Sequence, residues 1–162
     1  MNYSFFIQNL LFITLFSIQT SSADLQKSLE NAQNGEFASS INEFKKLSEL
    51  GDASAQYYLG QSYIYGLGVK KDYTKAVQYL KLSAEQGFTY AQFDLGRMYY
   101  NGDGLDQDFV YAFMWWEIAN IKGLKEAYET KQMFVDDKIM SKIEKAHMLA
   151  EKCINKKYKT IN

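Results

Sequence analysis

One feature limits what this chain can fold into more than any other: it repeats itself. Shifting the sequence by 36 positions brings Ala55 onto Ala91, Gln56 onto Gln92, Leu59 onto Leu95 and Gly60 onto Gly96. The same shift carries Tyr63 to Tyr99, Gly66 to Gly102, Gly68 to Gly104, Asp72 to Asp108, Ala76 to Ala112 and Gly87 to Gly123. A period of this length marks a stacked architecture. One copy is too small to bury its own apolar face, so neighbouring copies bury one another.

Each copy reads as two helices. The first, from about Ala53 to Tyr65, has Ala55, Leu59, Gly60 and Tyr63 on one face. Small residues at Ala55 and Gly60 let a neighbouring helix approach closely, and a larger side chain would overpack the contact by roughly 1–3 kcal/mol. Gly66-Leu67-Gly68 is the turn, Asp72 caps the second helix, and Gly87 ends it. In the next copy Thr89 is the expected cap of the first helix and Asp108 of the second, Phe109 to Lys122. That second helix carries Tyr111, Phe113, Met114, Trp115 and Trp116, so it is apolar nearly all round. At least one of the two Trp is expected in the core, and the other is open to either the core or a partner.

The pattern fades at both ends. Asp24 to Gly35 reads as a weak helix capped by Asp24 and stopped by Asn34-Gly35. Glu36 to Leu50 reads as a helix with Phe37, Ile41, Phe44 and Leu47 in one stripe, ended by Gly51. After Gly123 only Ala127 keeps the period. Asp136 is then the expected cap of a long helix, about Asp137 to Lys157, with Ile139, Ile143, Ala146, Ala150 and Cys153 as its seam. Its other faces are charged, as the end of a stack requires. The expected divisions are 1–23, 24–51, 52–87, 88–123 and 124–162.

Residues 1–23 hold no charged side chain, and Phe5 to Ile18 is mostly apolar. Ser21-Ser22-Ala23 offers small residues for a signal peptidase, and Asp24 would open the mature chain. The apolar run falls short of the roughly 20 residues that span a bilayer. The expectation is an exported bacterial protein, periplasmic or secreted. An uncleaved anchor and a buried helix of the fold are the alternatives. Net charge is −1 with no basic stripe, which argues against nucleic acid and against a membrane-surface partner once the signal is removed. The single Cys excludes an intramolecular disulfide.

The run Ala53-x-Ala55, Leu59-Gly60, Tyr63, Gly66-x-Gly68-Val69, Asp72, Ala76 and Gly87 resembles the Sel-one-like repeat, a relative of the tetratricopeptide repeat. The second copy matches at Ala91, Leu95, Gly96, Tyr99, Gly102, Gly104, Asp108, Ala112 and Gly123, with Leu105 in place of the Val. The resemblance implies an all-α fold: a right-handed α–α superhelix, or solenoid, of about eight helices with a long C-terminal capping helix. It also implies an adaptor or scaffold role. Cysteine-rich members described as β-lactamase-like carry a Cys pair per repeat, which this chain lacks.

Candidate chemistry is sparse. The Gly66-x-Gly68 and Gly102-x-Gly104 turns follow helices, and Lys71 and Gln107 stand where a dinucleotide loop needs its third Gly. The acidic loop Asn101 to Asp108 has Leu105, Asp106 and Ala112 where a calcium loop needs an oxygen ligand, Gly and Glu. His147 is the one His, too few for a zinc site. Cys153 lies on the apolar seam, as a buried inert thiol or an intermolecular disulfide. No cofactor, metal or catalytic residue is expected.

In the tetratricopeptide register the first helix of each pair lines the concave face. Tyr58, Gln61, Ile64 and Tyr65, then Asp94, Arg97, Tyr100 and Asn101, would flank the packing face and point inward. Tyr and Arg often carry binding energy. The expectation is a non-enzymatic adaptor holding a protein or peptide partner there. A cell-wall or β-lactam hydrolase and a membrane-tethered spacer are the alternatives.

Overall fold

The Asp and Gly punctuation of the sequence becomes the boundaries of helices. The computed structural model describes residues 22–134 and 140–158. Among them are eight helices and no strand: α1 (22–33), α2 (Phe37–Glu49), α3 (Ala53–Tyr65), α4 (Tyr73–Glu85), α5 (Thr89–Asn101), α6 (Phe109–Ile121), α7 (Lys125–Met133) and α8 (Met140–Asn155). The first 21 residues of the expected signal segment and the expected cap Asp136 lie outside the described residues.

Asp72 caps α4 by accepting from the Lys75 N–H at 3.0 Å. Asp108 caps α6 by accepting from Val110 N–H at 2.8 Å and Tyr111 N–H at 3.1 Å. Two expected caps fail. Thr89 is the first residue inside α5, and the capping position belongs to Phe88, which has no side-chain oxygen to offer. Asp24 lies within α1. Its backbone carbonyl accepts from the Ser28 hydroxyl at 2.8 Å. Asp52, not singled out in the sequence, caps α3 by accepting from Ala55 N–H at 2.8 Å.

Helices pair in order, α3 with α4 and α5 with α6, and each pair packs on the next. Ala55, Leu59, Ala76, Leu80, Ala91, Leu95 and Ala112 are buried between them. Each of the three leucines contributes about 1.5–3 kcal/mol by leaving water. Trp115 and Trp116 are both fully buried. Neither is left for a partner, because α6 is clasped by α5, α7 and α8 together.

The glycines of the period set the helix spacing. A Cβ on Gly60 would stand 2.8 Å from Leu80 Cγ, and one on Gly96 would stand 2.6 Å from the Trp116 ring. In each turn the second Gly meets the preceding repeat. A Cβ on Gly68 would lie 2.9 Å from the Phe37 backbone, and one on Gly104 would lie 2.4 Å from that of Tyr73. Gly104 also has φ +76. Both its conformation and its space exclude a side chain.

The C-terminal end departs from the repeat. Helix α8 packs on α6 through Ala146, Ala150 and Cys153 of the expected seam, and Ile143 packs on the same core, while Ile139 lies outside the described residues. Of α7, only Ala127 is buried. No described helix is long and apolar enough to cross a membrane.

Candidate functional site

Helices α1, α3, α5 and α7 are the first members of successive pairs. Between α3 and α5 their side is closed by a polar clasp. Gln61 Nε2 donates to Asp94 Oδ2, Arg97 Nη1 donates to Asp94 Oδ1 at 3.0 Å, and the Tyr57 hydroxyl donates to the same carboxylate. Asp94 is only 7% exposed. Burial pushes its carboxyl above the usual range, against the Arg97 charge and the three hydrogen bonds, which pull the other way. Burial, then the Asp94 charge, push the Tyr57 phenol well above its ordinary value, so Tyr57 remains a donor.

A hollow flanks the clasp on each side. The first, about 330 Å³, lies where α1 and α2 meet α3, with Leu29, Phe37, Ile41, Phe44, Tyr58 and Gln61 in its lining. The second, about 260 Å³, lies between α5 and α7 and is lined by Phe93, Arg97, Tyr100, Asn101, Trp116, Thr130 and Phe134. Its aromatic walls are in mutual contact. The Tyr100 ring lies 4.3 Å from Phe134 and 5.5 Å from Trp116. Trp116 Nε1 donates to the Phe93 carbonyl at 3.1 Å, so that indole N–H is already engaged.

The eight residues expected on this face are therefore placed unequally. Gln61 and Arg97 each join the clasp and line a hollow. Tyr58 lines the first hollow and stacks on Phe44 at 5.4 Å. Tyr100 and Asn101 line the second. Tyr65 is 60% exposed, while Ile64 packs against the core. Asp94 offers no surface, because its carboxylate is spent inside the clasp. Tyr57, Thr130 and Phe134 were missed. The pairing of Tyr58 with Asp94 across the period hints that the two repeats differ here. No such signal exists for Phe134, which lies where the period has faded.

A third hollow, about 590 Å³, opens between α6, α7 and α8. Glu117 there accepts from Lys131 Nζ and lies 3.5 Å from His147 Nδ1. His147 Nε2 also lies 3.7 Å from Glu151. Among the described residues no group of three or more His, Cys, Asp or Glu could hold a metal. Cys153 is buried, and burial pushes its thiol up to about 11, with Glu85 adding to the effect. The thiolate form is suppressed at neutral pH.

Comparison with known proteins agrees with this architecture. The Sel1 repeat model matches residues 53–88 and 89–124. No curated protein sequence matches the chain. Among solved structures, the chain is similar to a protective antigen present in uropathogenic Escherichia coli strains that displays an SLR fold. The identity is 26% and the TM-score 0.74, over 85% of this chain and 31% of the antigen. It is also similar to a Sel1 repeat protein from Oxalobacter formigenes, with 28% identity and a TM-score of 0.62 over 66% of this chain and 43% of that one. Helicobacter pylori cysteine rich protein B shares the fold at 21% identity, with a TM-score of 0.55 over 69% of this chain and 95% of that one. The chain thus spans less than half the length of the first two.

Proposed function

From two Sel1 repeats stacked in an α-solenoid, we propose that this chain is a non-enzymatic adaptor that holds an extended protein or peptide segment on its α1–α3–α5–α7 face. The observation that carries this reading is the pair of apolar hollows separated by the Gln61–Asp94–Arg97 clasp. Such a face suits an extended chain. Pockets take side chains, and polar groups between them meet the backbone. The chain has one His and one Cys. His147 lies between Glu117 and Glu151, and Cys153 is buried as a thiol.

Export belongs to the same proposal. The uncharged Phe5 to Ile18 run and Ser21-Ser22-Ala23 support a cleaved signal and a site of action in the periplasm or outside the cell. Mass spectrometry of the native protein reads this directly, since cleavage predicts Asp24 as the first residue. An intact N-terminus contradicts it.

The binding reading is tested by affinity capture from the native host. The wild type is compared with a Tyr65→Ser/Arg97→Gln/Asn101→Ala triple variant, whose three positions are exposed. Loss of the same partner from a variant that melts cooperatively supports it. Undiminished recovery removes the face assignment.

A further inference from the structure

We propose that the hollow between α5 and α7 seats the C-terminal residue of the partner chain, its apolar side chain among the rings and its terminal carboxylate on Arg97. The proposal rests on the adaptor reading and deepens it. Three observations carry it.

The first is size. At about 260 Å³ the hollow is below the usual range for a small-molecule site, and it suits one residue. The second is chemistry. Phe93, Tyr100, Trp116 and Phe134 make the walls apolar, and Arg97 is the one charged residue in the lining. Arg97 gives Nη1 to Asp94, which fixes the plane of the guanidinium. Its side chain stays 50% exposed, with the other edge of the fork left to meet a second carboxylate side-on. Asp94 lies behind it, buried and held by Gln61 and Tyr57 as well. Thr130 is also in the lining, and its side chain carries a hydroxyl that can donate.

The third is geometry. In an extended chain, successive side chains point to opposite faces. An apolar residue and a neighbouring Asp or Glu therefore cannot both enter one small hollow. A terminal residue presents its side chain and its carboxylate from the same Cα.

The test is a ¹H–¹⁵N NMR titration of the intact chain with three probes: N-acetylphenylalanine, its amide, and the amidated dipeptide N-acetyl-Phe-Asp-amide. The free acid is expected to saturate shifts at Arg97, Thr130 and Phe134, with the amide at least about tenfold weaker. Arg97→Gln is expected to abolish the difference between acid and amide, and Thr130→Val to weaken the acid alone. Equal binding of acid and amide overturns the proposal, as does equal binding of the side-chain carboxylate in the dipeptide. Absence of any saturable shift overturns it too. None of these results touches the adaptor reading, which stands or falls on capture of a partner and its loss from the triple variant, whichever part of that partner the face holds.

Discussion

Of the two glycines inside helices, Gly96 leaves the less room for a side chain, and its contact with Trp116 fixes a sharp expectation. An added methyl at Gly96 would press on a fully buried indole whose N–H is tied to the Phe93 carbonyl. Overpacking costs roughly 1–3 kcal/mol. Alanine in a helix recovers up to about 1 kcal/mol. Gly96→Ala should therefore lose about 1–2 kcal/mol in urea unfolding, and more than Gly60→Ala, whose added methyl meets Leu80 at a slightly longer distance. A neutral Gly96→Ala contradicts the packing described. Asp94 gives a second expectation. Its carboxyl titrates above the ordinary 3.8, so the folded chain keeps that proton to higher pH than the unfolded chain. Stability from this group is therefore lost as pH rises from about 4 through the folded value. Asp94→Asn has no such proton to lose. The melting-temperature advantage of the wild type over Asp94→Asn should shrink as pH rises from about 4 to 7, and an advantage that grows contradicts the sign.

At the scale of elements, caps separate what the sequence showed from what it concealed. Asp108→Ala should cost about 1–2 kcal/mol, because two backbone N–H groups lose their acceptor, and Asp72→Ala somewhat less, because one does. Thr89→Ala should stay within about 0.5 kcal/mol, since Thr89 is inside α5 and caps nothing. Thermal melts of the three variants check the order, and a Thr89 effect equal to that of Asp108 would restore the discarded cap. The Asp72 and Asp108 caps were legible because both recur at the same place in the period, a few residues after a glycine turn and just before an apolar-periodic run. Thr89 misled because the helix begins one residue earlier than a polar cap would suggest. The paired helices and the glycine turns were legible from the period alone. The second hollow was not. Its far wall, Thr130 and Phe134, comes from α7 and the residue after it, where the period keeps only Ala127.

For the whole molecule, the stack brings the first members of successive pairs onto one side. The α1–α3–α5–α7 side carries the two apolar hollows and a charge clasp that holds adjacent repeats in register. Tyr65 on α3 and Asn101 on α5 are exposed, and Leu82 is exposed on α4, a second-member helix. The most direct measurement places a photo-reactive phenylalanine analogue at position 65, at 101 or at 82 and irradiates cells of the native host. Adducts to one partner from positions 65 and 101, with none from 82, are the expected result. Adducts from 82 alone would contradict the account.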